Sequence, residues 1–254
     1  MKVAIHQPQY LPYGGFFHKL SLSDLYVVMD DAQYDKRFTN RNRIITPNGS
    51  IWISVPINKK QKFAPNSKVE INNEIPWRDL HWKQIQLAYN NSQFFRLYKE
   101  YFEQLYKKEW TMLFDLDLES LKQVISWLRL RTKIVLESEL GISSKSTNRL
   151  VDVCKAVGAE TYVAGSGSKS YMDESLFARN NIHIEYQNWV PVRHSQNLAN
   201  VFIPNLSILD MLANLGPYTL QVIRGDSPPP FEKKLNKPLQ KTTIRTGLNL
   251  KSRT

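Results

Sequence analysis

Apolar residues at the start of the chain fall into short blocks separated by polar turns. Lys2–His6 is a short apolar run with β-branched residues, and Leu25–Met29 is another, ending on Asp30-Asp31. Between them, Gly14-Gly15 opens an amphipathic stretch that runs to Leu22. Strand, short helix and strand within about 30 residues predict a βαβ unit, hence a parallel sheet with a right-handed crossover. The same rhythm returns late in the chain. Thr132–Leu136, Glu160–Ala164 and Ile182–Tyr186 read as strands, with helices over Asn148–Val157 and Tyr171–Arg179. Ser207 is placed to cap a further helix that begins at Ile208.

The middle of the chain follows a different pattern. Residues 32–50 are polar and basic and read as a loop with a Pro47-Asn48-Gly49 turn, followed by a strand over Ile51–Val55 and a candidate short strand at Lys68–Ile71. From Trp77 onward, Leu80, Ile85, Leu87, Phe94, Phe95, Tyr101, Phe102 and Leu105 recur at three- and four-residue spacing. That periodicity predicts two helices with a break near Asn90-Asn91, and a third helix runs from about Leu116 to Leu130. The expected fold is therefore α/β: a mostly parallel sheet flanked by helices, with a central helical insertion or subdomain over about 77–130. Pro228-Pro229-Pro230 separates this body, 1–227, from a basic tail at 228–254 that is expected to be flexible.

Composition narrows the class. With 254 residues and 42% hydrophobic content, the chain can bury a sizeable core as one large domain or one and a half. A single cysteine, Cys154, excludes an internal disulfide framework and a cysteine-rich zinc site. No apolar run approaches the roughly 18–20 residues needed to cross a bilayer, and the N-terminus lacks the layout of a signal peptide. A cytoplasmic location is the expectation. The net charge of +11 invites a nucleic-acid reading. About half of that excess, however, lies in the tail, where Lys233, Lys234, Lys237, Lys241, Arg245, Lys251 and Arg253 face only Glu232. The remainder is dispersed, apart from Lys36, Arg37, Arg41 and Arg43, which suits a small anionic ligand better than nucleic acid.

Side chains that act on ligands in parallel sheets gather at the carboxyl ends of the strands, which singles out His6 and Asp30. A neutral imidazole at His6 can serve as general base toward an amine or hydroxyl; the alternative is a histidine bonded to the following turn. Gln7 and Tyr10 lie on that turn. Adjacent strand residues face opposite ways, so only one of Asp30 and Asp31 reaches the crevice, to orient His6 or hold a metal; the alternative is a helix or turn cap. Asn40, Arg41 and Arg43 place amide and guanidinium donors suited to phosphate or carboxylate. Trp77, His81 and Tyr89 share one helix face, which reads as core, with His81 a candidate to project into the cleft. Gly165-Ser166-Gly167-Ser168-Lys169 follows a strand and precedes a helix, a setting that offers backbone N–H groups to an anion. Neither a Walker A spacing nor a G-x-S-x-G elbow is present. The five histidines are dispersed, so no metal site is expected and no cofactor is indicated.

Several of these segments, in order, resemble the WbqC-like family of bacterial proteins. They are His6-Gln7-Pro8-x-Tyr10-Leu11-Pro12, Gly15-x-Phe17-His18-Lys19-Leu20, Val27–Asp31, Asn40–Ile44, Arg149–Asp152, Tyr162–Ser166 and Leu206–Leu212. The resemblance spans about residues 2–216. It implies a cytoplasmic component of O-antigen or other surface-polysaccharide assembly. In that setting the expected activity is transfer of an acyl or similar small group to an amino sugar nucleotide. His6, Asp30 and His81 are the candidate catalytic residues. Gln7, Tyr10, Asn40, Arg41, Arg43, Arg149, Ser166, Lys169 and Tyr171 are the candidate substrate contacts. Alternatives are an ATP-dependent ligase or adenylyl transferase using the same crevice, a non-catalytic scaffold, and a nucleic-acid-binding protein. The oligomeric state is left open.

Overall fold

The computed structural model describes residues 1–61, 63–170 and 172–228. Tyr171 and the basic tail beyond Pro228 lie outside the described residues. Five parallel strands form the main sheet: β1 (Lys2–His6), β2 (Leu25–Val28), β5 (Lys133–Leu136), β6 (Thr161–Ala164) and β7 (His183–Tyr186). Their order is β5-β2-β1-β6-β7. Successive connections run outward from β1 on one side and then resume from β1 on the other. The order therefore reverses between β1 and β6, and a crevice opens outside the carboxyl ends of strands at such a point.

Alternation along β1 and β2 sorts the two faces of the sheet. Val3, Ile5, Leu25 and Val27 join one apolar cluster with Val151, Val153, Cys154 and Phe177. Ala4, Tyr26 and Val28 join the other, with Phe16, Phe17 and Leu20 of α1 (Gly14–Ser21). That second cluster continues into the helical block α2 (Trp77–Tyr89), α3 (Lys99–Lys107) and α4 (Leu113–Trp127), and into α7 (Ile208–Leu215) and α8 (Thr219–Ile223). The helix break expected near Asn90 is present, with a 3-10 turn at Phe95–Leu97 between α2 and α3. α5 (Ser146–Ala156) and α6 (Glu174–Arg179) cover the opposite face. Asp173 caps α6 by accepting from Ser175 N at 3.0 Å, so this helix starts later than the apolar spacing suggested.

Two local expectations are corrected. Residues 41–46 are not loop: β3 (Arg41–Thr46) pairs antiparallel with β4 (Gly49–Ser54) across the Pro47-Asn48 turn. Polar Arg41, Asn42 and Arg43 hide the strand from a hydrophobic reading, because here the sheet is a two-stranded ribbon with one face in solvent. Lys68–Ile71 is no strand either; a 3-10 turn at Asn66–Lys68 leads into isolated bridges from Glu70 to Met112 and from Ile71 to Ile57.

The segments that are distant in sequence but carry the N-terminal motif meet in space. Leu11 sits at φ 44°, and the Asn42 side-chain amide donates to its carbonyl at 2.8 Å. The Ile208 N–H donates to Pro12 O at 2.8 Å, and the Ser207 N–H to Arg43 O at 2.8 Å. Ser207 caps α7 as expected, accepting from Leu209 N at 3.3 Å. α7 ends on Gly216, whose φ of 55° and ψ of −125° favour glycine and whose added Cβ would meet Phe94 Cγ at 2.5 Å. Gly216→Ala is expected to lower stability by about 1–3 kcal/mol, through overpacking and backbone strain together. Urea titration of the variant reads this directly.

Candidate active site at the carboxyl end of β1

His6 closes β1 on the Ala4 face of the sheet, toward α1 and the helical block. Phe16 of α1 meets its ring edge-on at 5.6 Å between centroids. Nδ1 lies 2.9 Å from Gln7 O. A carbonyl only accepts, so Nδ1 carries the proton and Nε2 keeps its lone pair. Burial, with Lys19 next in weight, depresses the imidazole to about 3, and Arg37 adds to the depression. The ring is therefore neutral throughout the physiological range. Lys19, on the buried side of α1, donates to Ile5 O at 3.3 Å, and burial lowers its ammonium to about 8. Asp35 raises the His6 imidazole and Arg37 lowers it, both by charge alone. Asp35 holds Arg37 through a hydrogen bond of 2.7 Å from Nε.

On the neighbouring strand, the β1–β6 register pairs Ala4 with Val163. Two residues beyond each lie His6 and Gly165. Gly165 leads into a 3-10 turn over Ser166–Ser170. Within it the Ser168 hydroxyl donates to Gly165 O at 2.7 Å, while Ser166 is exposed. Lys169 is also exposed, and its ammonium stands 5.7 Å from the Tyr186 ring centroid. His6, half-buried Gln7 and the Gly165 turn thus sit at the edge where the strand order reverses.

The other candidate residues are placed elsewhere or are otherwise engaged. Both carboxylate oxygens of Asp30 accept from Ser138, from its N–H at 3.0 Å and its hydroxyl at 2.7 Å, tying the end of β2 to the turn after β5. Arg149 forms a two-pronged ion pair with buried Glu137, one prong being Nη2 to Oε2 at 2.6 Å. Tyr10 is fully buried, with its hydroxyl bonded to Tyr106 and 3.1 Å from His81 Nδ1. His81 lies edge-on to Trp77 at 5.4 Å, and burial lowers its imidazole to about 4. These rings form an interior cluster between the motif turn and α2–α3. Asn40 donates to Val55 O at 2.8 Å.

Arg41 and Arg43 project from the same face of β3, two residues apart, and both lie over Trp52 of β4. Their guanidinium carbons are 4.6 and 5.8 Å from its ring centroid. Trp52 is 44% exposed and lies beside Phe38 at 6.1 Å. The ribbon thus presents a cationic, aromatic surface.

Sequence reasoning missed Lys19, Asp35 and Arg37 as neighbours of His6. One signal was available for Lys19: it occupies the apolar face of α1, where a lysine is out of pattern. Among the described residues no group of three or more His, Cys, Asp or Glu side chains could hold a metal ion, and no helix is long and apolar enough to cross a membrane.

No solved structure matches the chain. A protein of Mycobacterium tuberculosis (strain ATCC 25618 / H37Rv) that bears the name "Uncharacterized protein Rv1507c" is 31% identical over 217 residues, which cover 85% of this chain and 94% of that protein. The profile of the WbqC-like protein family matches residues 7–222, from the turn after β1 to α8. The motif turn and the Asn42 and Ser207 braces lie in that span, His6 borders it, and the chain belongs to the WbqC-like protein family.

Proposed function

We propose that the protein is a cytoplasmic transferase of bacterial surface-polysaccharide assembly that moves an acyl or similar small group onto the amine of an amino sugar nucleotide. The observation that carries this reading is the state of His6: a neutral imidazole with Nδ1 tied to Gln7 O and a lone pair on Nε2, at the carboxyl end of the central strand. The amine nitrogen attacks the acyl carbon, the bond from that carbon to the donor's leaving group breaks, and Nε2 receives the proton lost by nitrogen. A base held near 3 is weak, but two of the groups that depress it are cations. An anionic donor bound against Lys19 and Arg37 relieves part of that depression and strengthens the base as the complex forms. Ser166, Lys169 and the exposed Arg41–Trp52 surface are further contacts for phosphates and rings of such a ligand.

His6→Ala and His6→Gln are expected to lower kcat by about 10²- to 10⁴-fold, with sugar-nucleotide binding retained. The assay pairs amino sugar nucleotides with acyl donors, and ATP–Mg²⁺ serves as the control for adenylyl transfer. Unchanged turnover in either variant removes His6 from the role.

The pH dependence has a definite sign. The folded state holds His6 far below its unfolded value, so between pH 6.5 and about 3 the unfolded chain binds more protons. The contribution of neutral His6 is complete above pH 6.5 and is lost as pH falls toward 3. Stability measured in urea across this range is expected to fall less steeply in His6→Gln than in the parent protein. Parallel pH profiles would contradict the assignment.

A further inference from the structure

The excess positive charge is confined to two stretches of the chain. Residues 35–63 hold the four basic residues at 36–43 together with Lys59, Lys60 and Lys62, against one acid, Asp35: a net charge of +6. Residues 232–254 hold another +6, so the rest of the chain sums to −1 of the total +11. The fold draws the first stretch into one surface. Arg41 and Arg43 lie over Trp52, and the Phe38 ring lies 6.1 Å from the same indole. Arg41 Nε donates to Arg37 O at 3.3 Å, tying the ribbon to the loop at 35–38. Just before that loop, the Tyr34 N–H donates to Ala64 O and the Asn66 N–H to Ala32 O, each at 2.9 Å. Residues 64–66 thus run antiparallel to 32–34, and Asp35 and Phe63 are the next residues outward on the two segments. Phe63 is 71% exposed, Trp52 44% and Phe38 41%, and Lys36, Arg37 and Lys60 are exposed as well. Among the described residues no carboxylate forms an ion pair with Arg41 or Arg43, and Asp35 is held by Arg37. The surface is aromatic, cationic and short of counter-charge.

We propose that this ribbon-and-loop surface docks the protein on an anionic lipid bilayer. The guanidinium and ammonium groups meet lipid phosphates, and Phe38, Trp52 and Phe63 enter at headgroup depth. Aromatic side chains favour that depth, and the negative surface potential of anionic lipid attracts clustered Lys and Arg. The basic stretch at 232–254 adds to the attraction charge by charge. A single-stranded nucleic acid fits the surface less well. Successive bases need a row of open ring faces along a groove. Here Phe38 is tilted 47° to Trp52, and the Arg41 guanidinium carbon lies 4.6 Å from the centre of the Trp52 ring. Arg41 and Trp52 are only part of the surface, so a sugar nucleotide that touches them leaves the rest for the bilayer. The proposal does not rest on the transferase reading.

The test is co-sedimentation of the full-length protein with two kinds of vesicle, phosphatidylcholine alone and equal parts phosphatidylcholine and phosphatidylglycerol. The protein is expected to pellet with the mixed vesicles, to stay in solution with the neutral ones, and to be released progressively by salt. Two double variants alter the folded surface and leave the tail intact. Lys36→Glu with Lys60→Glu is expected to weaken vesicle binding at least about tenfold. Phe38→Ser with Phe63→Ser is expected to weaken it by a similar factor, because the apolar contribution is lost. All four side chains are exposed, and an unchanged urea midpoint verifies that each variant folds. A parent protein that ignores the mixed vesicles would overturn the proposal. So would variants that pellet as the parent does, a result that assigns the attachment to the tail alone. Single-stranded oligothymidylate that binds more tightly than the mixed vesicles, with the same variants losing it, would overturn the bilayer in favour of nucleic acid.

Discussion

Asp210→Ala is expected to cost about 3–5 kcal/mol of stability, enough to unfold much of a marginally stable population. Asp210 is buried in the first turn of α7. Its Oδ2 accepts from His194 Nε2 at 2.9 Å and from Gln196 Nε2 at 2.8 Å, and its Oδ1 accepts from Asn214 at 3.3 Å. The other ring nitrogen of His194 lies 3.1 Å from Val192 O. Both nitrogens thus face acceptors, and the ring satisfies both only by donating from each. Removing the carboxylate strands the buried ring donor of His194, while Gln196 Nε2 keeps Ile203 O and Asn214 Nδ2 keeps the Asp210 carbonyl. The segment 187–206 has no helix or strand of its own, so this clasp, with Gln187 donating to Gly15 O and Trp189 packed on Gly14, holds it to the body. A double-mutant cycle with His194→Ala, followed by urea unfolding, should return a coupling above about 1 kcal/mol. Additive losses would show that the pair is not coupled.

Arg149→Ala is expected to lose a comparable 3–5 kcal/mol, because it leaves the carboxylate of Glu137, 1% exposed, without its counter-charge. The same variant separates two roles for Arg149. A structural arginine shows a large fall in unfolding midpoint and near-normal turnover in the folded fraction. A substrate contact shows the reverse, with the loss concentrated in KM. The two-pronged pairing with Glu137 predicts the first pattern. Arg149→Lys is expected to recover only part of the loss, since a lysine cannot reproduce the planar fork.

The parallel sheet was legible because β1, β2 and β6 are short apolar runs separated by helix-forming stretches, and burial on both faces imposes that pattern. The β3 strand was not, since Arg41 and Arg43 face solvent and Asn42 serves as a brace, so nothing in the hydrophobic pattern marks it. For the candidate site, the sequence marks the end of β1 but not the residues that surround it. His6 could be placed because a strand's carboxyl end is a structural address. Asp30 and Arg149 looked equally available, yet their partners, Ser138 and Glu137, are contributed by the turn after β5, which pattern reading assigned to no role.

Ligand is expected to bind at the edge where β1 and β6 end. The most direct test is a crystal structure of the protein with an amino sugar nucleotide. The sugar amine is expected within hydrogen-bond reach of His6 Nε2, about 2.6–3.2 Å or through one water, with an anionic group against Lys19 or Arg37. A nucleotide seated in the apolar pocket lined by Gly14, Trp189, Phe202 and Met211, or stacked on Trp52 with no atom near His6, would contradict it.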